Sequence, residues 1–217
     1  VAYGKPIRML HSLLASCVIA QLAIGELMDV PGQHDSPIAA TGLVTPAYAH
    51  AGHHAGSMPA IGETPGFIVH GWLGMFIAGL LLMRLFLSFS AIPGANWRDL
   101  LPWLSGAGRK MLLDDAKSQA GDWMRGRLPP LDEGKTVARA VHGLMLLTAL
   151  AIATAGVLLF FAWNAHGRQS EIILFVGETH ETLVGLLEGL VGLHVLAVII
   201  HQRMGHDCLS RIKPGGD

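Results

Sequence analysis

His180 and His194 stand 194 − 180 = 14 positions apart on one Leu/Val/Gly-rich run that continues through Val195 to Ile200. On a helix that interval is about 21 Å and nearly four turns, so both imidazoles project from almost the same side at two depths. A neutral imidazole is a transition-metal ligand. Inside an apolar run it is costly unless it is paired or ligating. The chemistry to look for is therefore a metal group that needs nitrogen near both faces of a bilayer.

The rest of the chain has the composition to provide the bilayer segments. Of 217 residues, 51% are hydrophobic and only 14% charged, with a mean hydropathy of +0.46, which predicts an integral membrane protein. A formal net charge of −1 gives no case for nucleic acid. The two cysteines, Cys17 and Cys208, form neither a disulfide framework nor a Cys-x-x-Cys-His attachment site, so any haem would be held non-covalently. Cys17 reads as a packing residue within a span.

Four apolar stretches, about 9–27, 67–89, 137–163 and 172–203, are each long enough to cross about 30 Å of hydrocarbon. They predict an all-α, four-helix integral membrane bundle, one domain over 1–217. The first has a basic front like a signal peptide, but His11, Cys17 and Gln21 within it favour a retained helix. Residues 29–66 are rich in Gly, Pro, Ala and His and hold no Lys or Arg, as an extended connection would. Residues 90–136 interleave Trp97, Trp103, Met111 and several leucines with basic residues, a pattern suited to a helix in the headgroup region. Every Lys and Arg except Arg168 falls on one side of this topology. The positive-inside rule then places both termini and the 90–136 loop in the cytoplasm and the 29–66 loop in the periplasm of a bacterial inner membrane.

Depth sorts the histidines. His11 and His194 belong near the cytoplasmic side, and His70 and His180 near the periplasmic side. Two imidazoles facing each other across a helical bundle can clamp a haem iron. Zinc would want four ligands at one point, which two separated pairs do not supply. Gly71, Gly74 and Gly79 on the second span and Gly185, Gly189 and Gly192 on the fourth remove side chains where a flat macrocycle would fit; close helix packing is the competing account, above all for Gly185 and Gly189.

Arg8-x-x-His11, His70, Arg139-x-x-His142, His180-Glu181-Thr182-Leu183 and Gly192-Leu193-His194, each placed in its span, resemble the prokaryotic cytochrome b561 family, grouped with the b-type cytochromes of nickel-iron hydrogenases. The resemblance covers the four-helix framework but not the 29–66 and 90–136 loops. It implies two b haems stacked across the membrane, ligated by His70 with His180 and by His11 with His194. Ser12 follows His11 where the family often has Trp. The depth of His142 makes it an alternative ligand, whereas the family pattern makes it a neighbour of the cytoplasmic-side haem, donating to a propionate or lining a quinone pocket. Arg8 and Arg139 are placed to pair with propionates, although interfacial snorkelling accounts for either equally well.

The resulting expectation is a di-haem cytochrome carrying electrons between the quinone pool and a periplasmic redox subunit, such as a c-type cytochrome or an iron-sulfur or molybdenum enzyme. A stand-alone superoxide:quinone oxidoreductase is the alternative within haem chemistry. A metal transporter using His50, His53 and His54 is the alternative outside it. Glu188 reads as a protonated or hydrogen-bonded carboxyl within the fourth span, and His201 as an interfacial histidine or part of a quinone site.

Overall fold

A computed structural model describes residues 4–28, 65–90, 96–126, 135–166 and 171–205. Among them there is helix and no strand. Four helices are long and apolar enough to cross a membrane: α1 (Lys5–Leu27), α2 (Pro65–Leu87), α5 (Lys135–His166) and α6 (Glu171–Arg203). Their outward faces carry large apolar side chains, with Phe86 76% and Ile172 74% exposed, a surface suited to lipid rather than water. The chain is thus a multi-pass, all-α membrane protein.

The spans expected from sequence coincide with these helices to within a few residues, and the departures have local causes. α1 starts at Lys5 rather than near Met9, where the Ile7 and Arg8 amides already bond the Gly4 carbonyl. α2 stops at Leu87 because the chain tightens there: the Ser88 amide reaches the Arg84 and Leu85 carbonyls, and the Ser90 hydroxyl donates to Leu87 O at 2.6 Å.

Between α2 and α5, the stretch expected to hold a surface helix forms α3 (Trp97–Leu100), a 3-10 turn (Pro102–Leu104) and α4 (Gly106–Met124). Asn96 caps α3 by accepting from the Arg98 amide, and Ser105 caps α4 by accepting from the Gly108 amide at 2.9 Å. No α4 residue is buried, while Met111, Leu113, Trp123 and Met124 are all exposed on it.

Three contacts fasten this surface segment. The Trp97 amide donates to Ser88 O at 3.2 Å. Asp115 Oδ2 accepts from the amides of Thr136 at 2.9 Å and Val137 at 3.1 Å, a carboxylate cap supplied to α5 by α4. Gly143 lies so close to the Leu100 carbonyl that any Cβ there would collide with backbone, which requires glycine beside His142.

The chain divides into two compact units. One comprises Val1–Leu14, Leu80–Ala151 and Gly185–Asp217, and packs Ile7, Leu10, Leu81, Leu100 and Leu187 in its interior. The other comprises Ala15–Gly79 and Ile152–Val184, with Ile77, Ala155 and Ile173 buried. Each unit holds one of the two histidine groups.

Candidate functional site

In the second unit α2 supplies His70 and α6 supplies His180. Their ring centroids are 6.5 Å apart with planes inclined at 73°. His180 Nδ1 lies 3.1 Å from the Ile152 carbonyl of α5. A carbonyl only accepts, so Nδ1 carries the proton and the lone pair is left on Nε2. Gly156, one turn beyond Ile152, receives the ring: a Cβ there would come within 3.2 Å of His180 Cε1. On the other side Gly25 of α1 receives His70, at 3.4 Å from Cε1 and 3.6 Å from Nδ1 to a notional Cβ. Gln21 Nε2 donates to the His70 carbonyl at 3.0 Å.

The first unit is composed differently. His142 of α5 and His194 of α6 meet edge to face with centroids 4.9 Å apart. His11 of α1 lies within electrostatic reach of His194 and of Arg84 on α2, and His142 within reach of His194, His11 and Arg84. The Arg84 guanidinium donates from Nη1 to Ser88 Oγ at 2.8 Å, and the Ser88 hydroxyl, 2% exposed, donates back to Arg84 O at 3.0 Å. Arg8 is buried at 8% exposure, whereas Arg139 is exposed.

One interval links these side chains. His180 and His194 are 14 apart, and so are His11 and Gly25 (25 − 11 = 14), His70 and Arg84 (84 − 70 = 14), and His142 and Gly156 (156 − 142 = 14). Each spanning helix therefore offers a residue to each unit at the same register. The second unit receives Gly25, His70, Gly156 and His180; the first receives His11, Arg84, His142 and His194. Gly25, Gly156 and Arg84 carry no site signal of their own in the sequence; the 14-residue interval of α6, extended to the other helices, picks out all three.

Two sets of glycines differ from expectation. On α2, protein side chains occupy the space beside Gly71 and Gly74, where notional Cβ atoms would lie 3.2 Å from the Phe160 ring and 3.2 Å from Gln21 Nε2, while Gly79 meets nothing within 4 Å. Gly185, Gly189 and Gly192 face open space, so no other described helix of this chain packs on them. At about 100° per residue they lie roughly 120–180° around α6 from His180, on the side away from both imidazoles.

Cys17, Glu188 and His201 are each partly exposed. His50, His53 and His54, with the rest of 29–64, lie outside the described residues.

The fit of a haem iron can be tested on the rings. Two metal–nitrogen bonds of about 2.0–2.1 Å, plus roughly 1.1 Å from each nitrogen to its ring centre, put two axial imidazoles about 6.3 Å apart, centroid to centroid. His70 and His180 meet that separation at 6.5 Å. His142 and His194, at 4.9 Å, are too close to take opposite sides of one iron. The His180 tautomer leaves Nε2 available, and Gly25 and Gly156 make room for the two rings against α1 and α5, so the second unit fits an iron ligated through two histidines.

No curated protein and no solved structure matches the chain. The model of one family, described as prokaryotic cytochrome b561, matches residues 2–215. Nearly the whole chain is covered, four apolar helices included, and it belongs to the prokaryotic cytochrome b561 family of haem-binding, b-type membrane electron-transfer proteins.

Proposed function

We propose that this chain is a di-haem cytochrome that carries electrons across the bacterial inner membrane, with one non-covalent haem held by His70 and His180 and a second by His11 and His194. Each haem, when bound, supplies one-electron iron chemistry, and ligation by two histidines leaves no open iron position for oxygen. The protein supplies the rest. His180 is held in the ligating tautomer by the Ile152 carbonyl. Gly25 and Gly156 let the two rings seat against α1 and α5. Apolar helices around the sites exclude water and keep the local dielectric low.

In the His11 unit the extra side chains suggest added duties. Arg84, Arg8 and Arg139 are cations for haem propionates, and a guanidinium suits a carboxylate through paired N–H donors. His142 serves as a propionate donor or lines a quinone pocket, since its contact with His194 is too short for the pair to share an iron. Quinone exchange then belongs to the cytoplasmic side, and the periplasmic stretch 29–66 is the contact for a redox subunit.

The observation that carries this reading is the 6.5 Å separation of His70 and His180, together with the hydrogen bond that fixes the His180 tautomer. The test is haem content and a reduced-minus-oxidised spectrum of the purified protein. Two b haems per chain are expected; a chain without a b-type α-band refutes the reading. Co-isolation of a second redox subunit supports a respiratory complex, whereas a lone protein that reduces quinone with superoxide supports the stand-alone oxidoreductase.

A further inference from the structure

We infer that Gln21 is the positioning residue for His70: its side-chain oxygen takes the Nδ1 proton of His70 when Nε2 ligates iron, as the Ile152 carbonyl does for His180. This rests on the ligation of iron by His70 proposed above. The two histidines start from unequal positions. His180 Nδ1 has its acceptor at 3.1 Å, but His70 Nδ1 is buried without a hydrogen-bond partner. Gln21 Oε1 is buried without one as well. In the tautomer that ligates through Nε2, the first is a donor; the second is always an acceptor. Each left alone carries the desolvation cost of a buried polar group, and pairing them, directly or through one bridging water, removes both.

The two groups share one seam. Gln21 Nε2 already holds the His70 carbonyl at 3.0 Å, so the amide stands over the turn that bears the imidazole. Gly25 follows Gln21 by one turn (25 − 21 = 4) and Gly74 follows His70 by one turn (74 − 70 = 4). A notional Cβ at 25 lies 3.6 Å from His70 Nδ1, and one at 74 lies 3.2 Å from Gln21 Nε2. Each helix therefore offers the other's polar side chain a glycine to pack on, which brings amide and imidazole to one place between α1 and α2. A polar side chain in an apolar span is expensive unless it has such a task.

An acceptor on Nδ1–H makes the imidazole more basic, which favours ferric over ferrous iron and lowers the midpoint potential. In the full-length, haem-loaded protein, Gln21→Leu should raise the midpoint of one haem by about 60 mV, a tenfold shift in a one-electron equilibrium. It should also move that haem's low-spin electron paramagnetic resonance signal, which reports ring orientation. Gln21→Glu keeps an acceptor of the same shape and should bring the midpoint to or below the wild-type value. A glutamine that only packs would change the melting temperature and leave midpoint and resonance untouched in both variants, and that result overturns the inference. A Gln21→Glu midpoint above wild type also overturns it, even if the leucine variant fails to fold. His70→Ala separates the two proposals: retention of both haems refutes ligation by His70 and the inference with it, whereas loss of one haem with unmoved Gln21 variants refutes the inference alone.

Discussion

The two histidine groups are built on the same four helices at the same register, yet they differ in what accompanies the paired histidines. In the His70 unit the two non-histidine positions are Gly25 and Gly156, and both rings rest against them. In the His11 unit the matching positions on α1 and α5 hold His11 and His142, and α2 contributes Arg84 in place of His70. One site has two imidazoles seated against glycines; the other has three imidazoles and a guanidinium. A site that only has to hold iron can be closed by glycine, whereas one that also handles a propionate or a quinone needs further donors. On the function proposed above, the extra histidine and the arginine are where the two units divide their work.

The strongest way to break this comparison is to remove the histidines singly. His70→Ala and His180→Ala should each leave one haem of two and about half of the reduced α-band, with the same haem missing in both, and His11→Ala and His194→Ala should leave the other. His142→Ala should keep both haems and alter quinone reduction or the midpoint of one. Loss of a haem in His142→Ala together with its retention in His11→Ala would falsify the pairing of His11 with His194.

The glycines give a smaller effect. Gly156→Ala places a methyl 3.2 Å from His180 Cε1, so occupancy of the His70 haem should fall several-fold while the second haem stays. Gly189→Ala meets nothing within 4 Å. It should leave both haems in place and, by helix propensity, raise stability by up to about 1 kcal/mol, read as a higher melting temperature. Equal haem loss in the two variants would mean that the glycines of α6, too, face a cofactor.

Smallest is the cap. Asp115→Ala removes the acceptor for the Thr136 and Val137 amides and should cost about 1 kcal/mol, seen in thermal melts with the haem spectrum unchanged. A spectral change confined to one haem would instead tie α4 to the environment of His142.

The four spans were legible because a 20-residue apolar run has few structural options, and the histidines because an imidazole within such a run calls for a reason. The surface helix showed through Trp97, Met111 and their basic neighbours, but its caps did not: Asp115 closes a helix 21 residues downstream, a relation no local pattern carries. For the glycines, side matters and number misleads. Gly185, Gly189 and Gly192 form the more conspicuous series but lie on the face of α6 turned from the imidazoles, whereas Gly25 and Gly156 are single glycines whose meaning depends on the ring of another helix. In the sequence Gln21 is only a polar residue in a span; its link to His70 depends on the packing of α1 on α2.

The hydrogen bond from His180 to the Ile152 carbonyl has an evolutionary side. A main-chain carbonyl belongs to every amino acid, so no exchange of side chain at position 152 deletes that acceptor, and the electronic character of His180 is largely sheltered from mutation. Gln21 is encoded, and can drift or be selected. If the potential of this centre has been adjusted during descent to suit different electron donors, the adjustable side is that of His70.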